Sequence, residues 1–270
     1  MMRIASLFGA VALACLTAAP TQAGPGDLPI IAAAIDSGRL VQARLMLARQ
    51  DAGDDPDELA YLQGRLALAE GNDAAALRRF EPLAAAHPGD CRFVGGAGLA
   101  AARLAQTDRA IAWLTAATDA CPDDWRTWNA LAVCYDAKES WPQSSAAFAH
   151  ALRLAPDKAT VMNNAGVSLL RQHRFDEAAA LLREARRIAP HDERIANNLD
   201  VATAAAGQPV TRRPGENAAR WADRLNNAGV GALLSGRQAQ ARAYLSQAIS
   251  VDPTYDATAA ETLARLGSGS

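Results

Sequence analysis

The chain has 270 residues and a formal net charge of −2 at pH 7; half of its residues are apolar, but only 5% are aromatic. This length accommodates one or two ordinary domains or a single array of repeats. The alanine-rich, aromatic-poor composition favours closely packed helices over β-sheets. The weak charge excludes the basic surface of a protein that binds nucleic acid. We therefore predict an all-α fold with no nucleic-acid partner.

Residues 1–23 have the layout of a secretory signal peptide. Arg3 supplies a positive charge, residues 4–16 form an apolar run, and residues 21–23 give a small-x-small cleavage site. The apolar run is shorter than the roughly 20 residues of a transmembrane helix, because polar and proline residues interrupt it. We predict cleavage after Ala23 and a periplasmic or secreted location.

A second processing route is open at Cys15. Residues 12–15 read Ala-Leu-Ala-Cys, which resembles the lipobox of bacterial lipoproteins, where the cysteine is acylated and becomes the first mature residue. Ala12 stands where those lipoproteins usually have leucine. Under this alternative the protein is an outer-membrane lipoprotein, and the lipid attaches it to the membrane.

Prolines recur at a fixed interval through the middle of the chain. Pro88, Pro122, Pro156 and Pro190 are evenly spaced along the sequence. Self-similarity at such a period is typical of a repeat array in which each unit packs on the next. A proline at the end of each unit stops the second helix, so the interval predicts a series of helix–turn–helix units.

The unit at residues 125–156 carries the fullest residue pattern. Its characteristic residues are Trp128, Leu131, Ala132 and Tyr135 in the first predicted helix, then Ser144, Phe148, Ala151 and Pro156. Small residues recur at the place of Ala132 in the other units, and they let the two helices of a unit approach closely. These small residues are Gly64, Gly98, Gly166 and Gly229. The pattern resembles the tetratricopeptide repeat (TPR), which implies a right-handed solenoid of about six to seven repeats, including degenerate ones.

Two stretches depart from the period. Residues 24–55 keep a degenerate repeat, and the array is predicted to continue to residue 206. The interval from Pro190 to Pro253 is slightly shorter than two full repeats. We predict an irregular loop at residues 207–216 in place of a second helix. A final repeat with a C-terminal capping helix is expected over residues 217–266, and residues 267–270 are expected to form a disordered tail.

Three cysteines lie beyond the predicted signal peptide: Cys91, Cys121 and Cys134. Cys91 opens the first helix of one repeat and Cys121 closes the second helix of the same repeat. An antiparallel helix pair would bring these two residues to one end. The sequence has no Cys-x-x-Cys spacing. A Cys91–Cys121 disulfide and two separate buried thiols are therefore the alternatives.

Asparagines recur at one place in the predicted first helices. In TPR proteins the first helices line a concave groove, and asparagines near this place hold the backbone of a bound peptide; the resemblance implies the same role here. A side-chain amide suits it by offering both a donor and an acceptor. Alternatively, one asparagine of each pair bridges helices within the scaffold. The expected groove residues are Asn129, Asn163, Asn197 and Asn226 with Arg126 and Arg194, and Asn164, Asn198 and Asn227 are their chain neighbours.

No motif for catalysis or metal binding is visible. The four histidines are scattered, and none belongs to a metal-binding spacing such as His-Glu-x-x-His. The glycine-rich residues 95–98 lie in a predicted first helix, with no preceding strand and no following Lys-Ser/Thr. We therefore expect a protein that is not an enzyme and uses no metal or cofactor.

The order of segments is similar to that of the exported TPR protein of the tight-adherence (Flp) pilus assembly system. Both have a signal peptide, several repeats and a further repeat after a gap. The resemblance implies a scaffold that helps to assemble a secretion machinery. Two alternatives stay open: a general periplasmic adaptor for envelope or cytochrome assembly, and a non-catalytic docking subunit of an enzyme complex. In each case the expected partner is a protein or an extended peptide segment in the groove, and the oligomeric state is not indicated.

Overall fold

The computed structural model of the protein describes residues 27–50 and 55–252, and this part of the chain forms thirteen α-helices and no β-strand. The helices are α1 (Leu28–Asp36), α2 (Leu40–Leu47), α3 (Pro56–Ala69), α4 (Asp73–Ala86), α5 (Cys91–Arg103), α6 (Thr107–Ala120), α7 (Trp125–Ala137), α8 (Trp141–Leu154), α9 (Ala159–Arg171), α10 (Phe175–Ile188), α11 (Glu193–Ala205), α12 (Ala218–Leu234) and α13 (Gln238–Val251). Neighbouring helices pack along the whole series, which confirms the predicted all-α solenoid.

Twelve of these helices form six pairs, each made of a first and a second helix: α1/α2, α3/α4, α5/α6, α7/α8, α9/α10 and α12/α13. The second helix of a pair also packs against the first helix of the next pair. Helix α11 is a first helix without a second helix of its own. The first helices of neighbouring pairs also contact one another from α3 to α11, so they share one face of the solenoid.

Aspartates start several of the first helices. The side chains of Asp90, Asp124 and Asp192 each accept a hydrogen bond of 2.9–3.1 Å from the backbone N–H two residues ahead. These bonds satisfy donors that have no partner within the helix. The pKa of Asp90 and that of Asp192 lie below the ordinary value of an aspartate. The main cause is a hydrogen bond from an arginine side chain to each carboxylate, and the backbone N–H bonds add a smaller effect in the same direction.

Small residues of the first helices face large residues of the second helices. A Cβ atom added to Gly98 would lie 2.7 Å from Cγ of Leu114, and one added to Gly166 would lie 2.6 Å from Cγ of Leu182. The same relation joins Gly64 to the ring of Phe80. These large residues are fully buried. The small residues that recur in the sequence therefore mark the places where the two helices of each pair are in tight contact.

The series changes between α11 and α12. Residues 206–217 contain no helix, and α12 begins after Asn217, whose side chain accepts a bond of 2.8 Å from the N–H of Arg220. No second helix separates α11 from α12, so the two first helices pack directly together. A Cβ atom on Gly231 would lie 2.1 Å from the carbonyl oxygen of Val201. Glycine is therefore needed at this backbone contact.

A disulfide joins Cys91 at the start of α5 to Cys121 at the end of α6, with the two Cα atoms 5.9 Å apart. It closes the end of the helix pair that lies opposite the turn at residues 104–106. Cys134 is a buried free thiol, and burial raises its pKa to about 11.

Several sequence expectations lie outside the described residues. They are the signal peptide, cleavage after Ala23, acylation of Cys15, the C-terminal capping helix and the tail at residues 267–270. Within residues 27–50 and 55–252, none of the helices has the length and apolar character needed to cross a membrane.

Candidate functional site

Side-chain amides link the first helices in a continuous series. Nδ2 of Asn164 on α9 donates to Oδ1 of Asn129 on α7 over 3.1 Å. The next two links are Asn198 to Asn163 at 2.8 Å and Asn227 to Asn197 at 3.2 Å. We call Asn129, Asn163, Asn197 and Asn226 the amide row, and Asn164, Asn198 and Asn227 the bridging row. The bridging row thus ties each first helix to the preceding one.

The two rows keep unused hydrogen-bonding atoms. Among the described residues, Nδ2 of Asn129 and of Asn197 has no acceptor, and Oδ1 of Asn198 and of Asn227 has no donor. The amide row is not uniform, because Asn197 is exposed, Asn129 and Asn226 are half-buried and Asn163 is only 7% exposed. The surface therefore presents both hydrogen-bond donors and acceptors. Asn163 contributes the smallest part of this exposed surface.

The two arginines expected beside the amide row are exposed. The Arg126 side chain is 69% accessible; its guanidinium group stacks over the Trp125 ring and lies 3.9 Å from Asp124. Arg194 is 72% accessible and donates one bond of 3.1 Å to Asp192. Each arginine precedes an amide-row residue by three positions, so it lies on the same helix face. Most of their donor groups are left for solvent or for a ligand.

A polar cleft of about 400 Å³ lies at the C-terminal end of the amide row. The asparagines Asn197 and Asn227 reach it from α11 and α12. Its other polar lining residues are charged: Glu193, Asp200, Arg213, Glu216, Arg220, Asp223 and Arg224. The cleft therefore continues the amide surface into the α11–α12 junction.

A buried ionic network forms the floor of this junction. Arg224 makes two bonds to Asp200, of 2.9 and 3.0 Å, and one of 3.0 Å to Glu216. It also donates to the carbonyl oxygen of Thr211 at 3.0 Å, which fixes the loop. The side chains of Asp200 and Glu216 are each 5% exposed. Burial raises the pKa of Asp200 above its ordinary value, although the hydrogen bonds from Arg224 act in the opposite direction.

Asp200 is a site residue that was not expected from the sequence, although the repeat register contains a signal for it. Asp200 stands one repeat after Gly166 and two repeats after Ala132, at the position where other first helices carry a small residue. A charged residue at that position indicates that no second helix packs against it. Combined with the predicted loop at 207–216, this substitution could have identified the junction as a polar site.

A second buried polar cluster joins the two repeats in the middle of the solenoid. Oδ1 of Asp136 accepts hydrogen bonds from the hydroxyl groups of Ser144 and of Ser168, the latter over 2.7 Å. Arg171 donates to the carbonyl oxygen of Asp136 at 2.9 Å. All three side chains of the cluster are buried. The cluster therefore connects α7, α8 and α9 and belongs to the framework.

Three of the described histidines, His87, His150 and His173, have structural neighbours. His87 pairs with Asp57 at 2.7 Å, and His150 stacks on Trp128 with ring centres 4.4 Å apart. Over residues 27–50 and 55–252, no group of three or more His, Cys, Asp or Glu side chains is arranged to hold a metal ion.

Comparison with known proteins identifies the repeats. Family profiles described as tetratricopeptide repeat match residues 61–125 and residues 126–191. Proteins of this kind are typically non-catalytic scaffolds for protein interactions. No curated protein matches the sequence.

Solved structures show the same fold. A thermophilic TPR protein of Thermus thermophilus is 20% identical, with a TM-score of 0.56 over 66% of this chain and 97% of that one. A TPR protein from Parabacteroides merdae is 14% identical, with a TM-score of 0.54 over 89% of this chain and 97% of that one. Together, the two family matches and the series of helix pairs show that the described part of the chain is an all-α tetratricopeptide-repeat solenoid.

Proposed function

We propose that the protein is an exported scaffold whose amide row binds an extended segment of a partner protein. The observation that carries the proposal is the series of amides on consecutive first helices, with free Nδ2 donors at Asn129 and Asn197 and free Oδ1 acceptors at Asn198 and Asn227. A peptide backbone presents one donor and one acceptor per residue. Amides repeated on successive helices match that need along a line.

The bridging row supports the proposal by orienting the amide row. Each amide-row carbonyl from Asn129 to Asn197 is held by a bridging-row N–H, so the side chain does not have to be ordered when a ligand binds. The amide row thus supplies the free donors, and the bridging row both orients the amide row and supplies the free acceptors. The repeat fold explains why such a row exists, since each unit adds one equivalent helix face.

Photo-crosslinking in the native cell tests the proposed face. A photoreactive amino acid is placed at Val230, which is 44% exposed and lies one turn after Asn226. The matched control is Val41 on α2, which is 69% exposed and distant from the amide row in the chain. We expect a discrete crosslinked protein from position 230 and none from position 41, with the crosslinked peptide identified by mass spectrometry. Equal yields at both positions would contradict the proposal.

Export is the second element of the proposal. It is supported by the signal-peptide pattern of residues 1–23 and by the Cys91–Cys121 disulfide, since disulfides persist mainly in oxidising compartments. The mass of the mature protein distinguishes the two processing routes. A chain that begins at Gly24 supports a soluble exported protein, whereas a diacylglycerol-modified Cys15 supports the lipoprotein, and retention of residues 1–23 contradicts export.

The proposed setting is a secretion machinery of the tight-adherence pilus type. The support is the order of segments, with a signal peptide, several repeats and a further repeat after the loop at residues 207–216. Deleting the gene should reduce surface pili and leave other envelope complexes intact. Loss of cytochromes or general envelope defects with normal pili would favour the general periplasmic adaptor instead.

A further inference from the structure

An apolar row lies beside the amide row. The residue four positions after each amide-row residue is a valine: Val133, Val167, Val201 and Val230. Leu99 occupies the equivalent place on α5. Residues four apart are neighbours on a helix face, so these side chains form a second line along the first helices. We call Leu99 and the four valines the apolar row.

Part of the apolar row is open to solvent, whereas Leu99 and Val201 also pack against the core. Val133 and Val230 are 43% and 44% exposed, and the other three members are half-buried. An exposed valine is ordinary when it stands alone, but a contiguous line of apolar side chains on a repeat surface indicates a contact surface. The row is therefore available to a ligand that lies on the amide row.

On the opposite side of the amide row, α7 and α11 each carry an arginine, whereas Thr160 and Asp223 occupy the equivalent positions on α9 and α12. Arg126 and Arg194 lie three residues before Asn129 and Asn197, and each carries an accessible guanidinium group with unused donors. Residues at i, i+3 and i+7 share one helix face, so arginine, asparagine and valine stand in that order across the groove on α7 and on α11. On these two helices the surface thus changes from a cationic group to an amide and then to an apolar side chain.

We propose that this surface selects an extended segment in which acidic and apolar residues alternate. This inference rests on the proposed function of the amide row. In an extended chain, successive side chains point to opposite sides. When the backbone follows the amide row, one set of side chains faces the arginines and the other set faces the apolar row. Carboxylates suit the first set because arginine forms charge-assisted hydrogen bonds with them.

Binding of defined synthetic peptides to the full mature chain tests this selectivity. The main peptide is a fluorescent octapeptide of alternating Glu and Val, flanked by Gly-Ser. Two peptides change one side only, with Lys in place of Glu or Ser in place of Val. A fourth has the same composition as the first but separates Glu and Val into two blocks. We expect the alternating Glu–Val peptide to bind at least tenfold more tightly than each of the others.

Variants of the groove link the preference to the two rows. Val133→Ser should weaken binding of the alternating Glu–Val peptide at least fivefold and leave the weak binding of the Glu–Ser peptide unchanged, whereas the matched control Val41→Ser should change neither. Arg126→Ala should reduce the difference between the Glu–Val and Lys–Val peptides. Similar affinities for all four peptides, or no binding of any peptide, would overturn the inference. Crosslinking of a natural partner at Val230 that is insensitive to Val133→Ser would overturn it as well, while leaving the proposed function intact.

Discussion

The α9/α10 repeat and the α11–α12 junction use one register position in opposite ways. In α9 the position is Gly166, and the buried side chain of Leu182 fills the space beside it. In α11 the same position is Asp200, and Arg224 of the next first helix occupies that side through two hydrogen bonds. The small residue is therefore required by the second helix and not by the first. Where the second helix is missing, the position accepts a charge.

The two regions are also stabilised by different interactions. Apolar packing between Gly166 and Leu182 depends on shape, and it weakens with added volume or with a cavity. The ionic network around Asp200 stabilises the junction only when all of its members are present, because removing one member leaves a buried charge without its partner. Substitutions in the two regions should therefore separate these two kinds of stabilisation.

Removing Arg224 should produce the largest loss of stability. Arg224→Leu leaves the carboxylates of Asp200 and Glu216 buried without their cation, which costs about 3–5 kcal/mol of unfolding free energy. The matched control is Arg220→Leu, because Arg220 pairs with Glu193 at the surface, where such pairs contribute about 0–1 kcal/mol. Urea unfolding of both variants gives the comparison. Equal losses in the two variants would show that the junction does not depend on its buried network.

Removing the disulfide should cost nearly as much in the regular part of the solenoid. The chain-entropy estimate for a disulfide that spans 30 residues is about 3–4 kcal/mol, so Cys91→Ser with Cys121→Ser should lower the unfolding free energy by that amount. A reductant should shift the wild-type protein similarly and have no such effect on the double variant. Alkylation of both cysteines in an unreduced sample would contradict the bond.

Enlarging the small residue of a repeat should cost less than breaking the network. Gly166→Leu places side-chain atoms where Leu182 already lies, and overpacking of this kind costs about 1–3 kcal/mol. Gly98→Leu should behave similarly against Leu114. Gly89→Ala is the control, because nothing lies within 4 Å of the added Cβ atom. Unchanged melting temperatures for the two leucine variants would contradict the assigned register.

The pH dependence of stability should have opposite signs at the two kinds of aspartate. Asp90 has a lowered pKa in the folded state, so its contribution is present above its ordinary pKa and is lost as the pH falls. Asp200 has a raised pKa, so the folded state binds the proton more tightly. Stability therefore falls as the pH rises from the ordinary aspartate pKa through the raised value.

Two variants isolate these contributions by difference from the wild type. Asp90→Asn should remove part of the acid-induced loss, whereas Asp200→Asn should remove a loss that develops as the pH rises above about 4. Chemical unfolding at a series of pH values between 3 and 7 measures both differences. The same sign for both variants would show that burial does not control the ionisation of Asp200.

The sequence predicts the regular part of the molecule because repetition supplies independent copies of one signal. The even spacing of the prolines placed the helix pairs, and the small residues such as Gly98 and Gly166 placed their contacts. The same register also aligned the amide row. Cysteine positions indicated the Cys91–Cys121 pairing as one of two alternatives, because helix pairing alone brings the residues together without requiring a bond.

The junction was less predictable because it occurs once and breaks the repeat. Residues 207–216 were recognised as irregular from their glycines and prolines, but the position of a loop says little about the side chains that hold it. The direct contact of α12 with α11 and the need for Gly231 depend on the absence of a helix between them. The bridging hydrogen bonds, such as that from Asn198 to Asn163, likewise require the spacing between neighbouring helices, which is a tertiary property.

The most direct measurement of the central claim compares partner binding and melting temperature in two asparagine variants. Asn129→Ala with Asn197→Ala removes amides that have free donors, and each lost hydrogen bond should weaken binding of the partner captured at Val230 by about 0.5–1.5 kcal/mol. The melting temperature should fall little. Asn163→Ala should instead lower the melting temperature more, because Asn163 is the buried member of the amide row and accepts the shortest of the three bridging bonds, 2.8 Å from Asn198. A double variant that melts early but binds its partner with unchanged affinity would contradict the account, since the exposed amides would then belong to the framework.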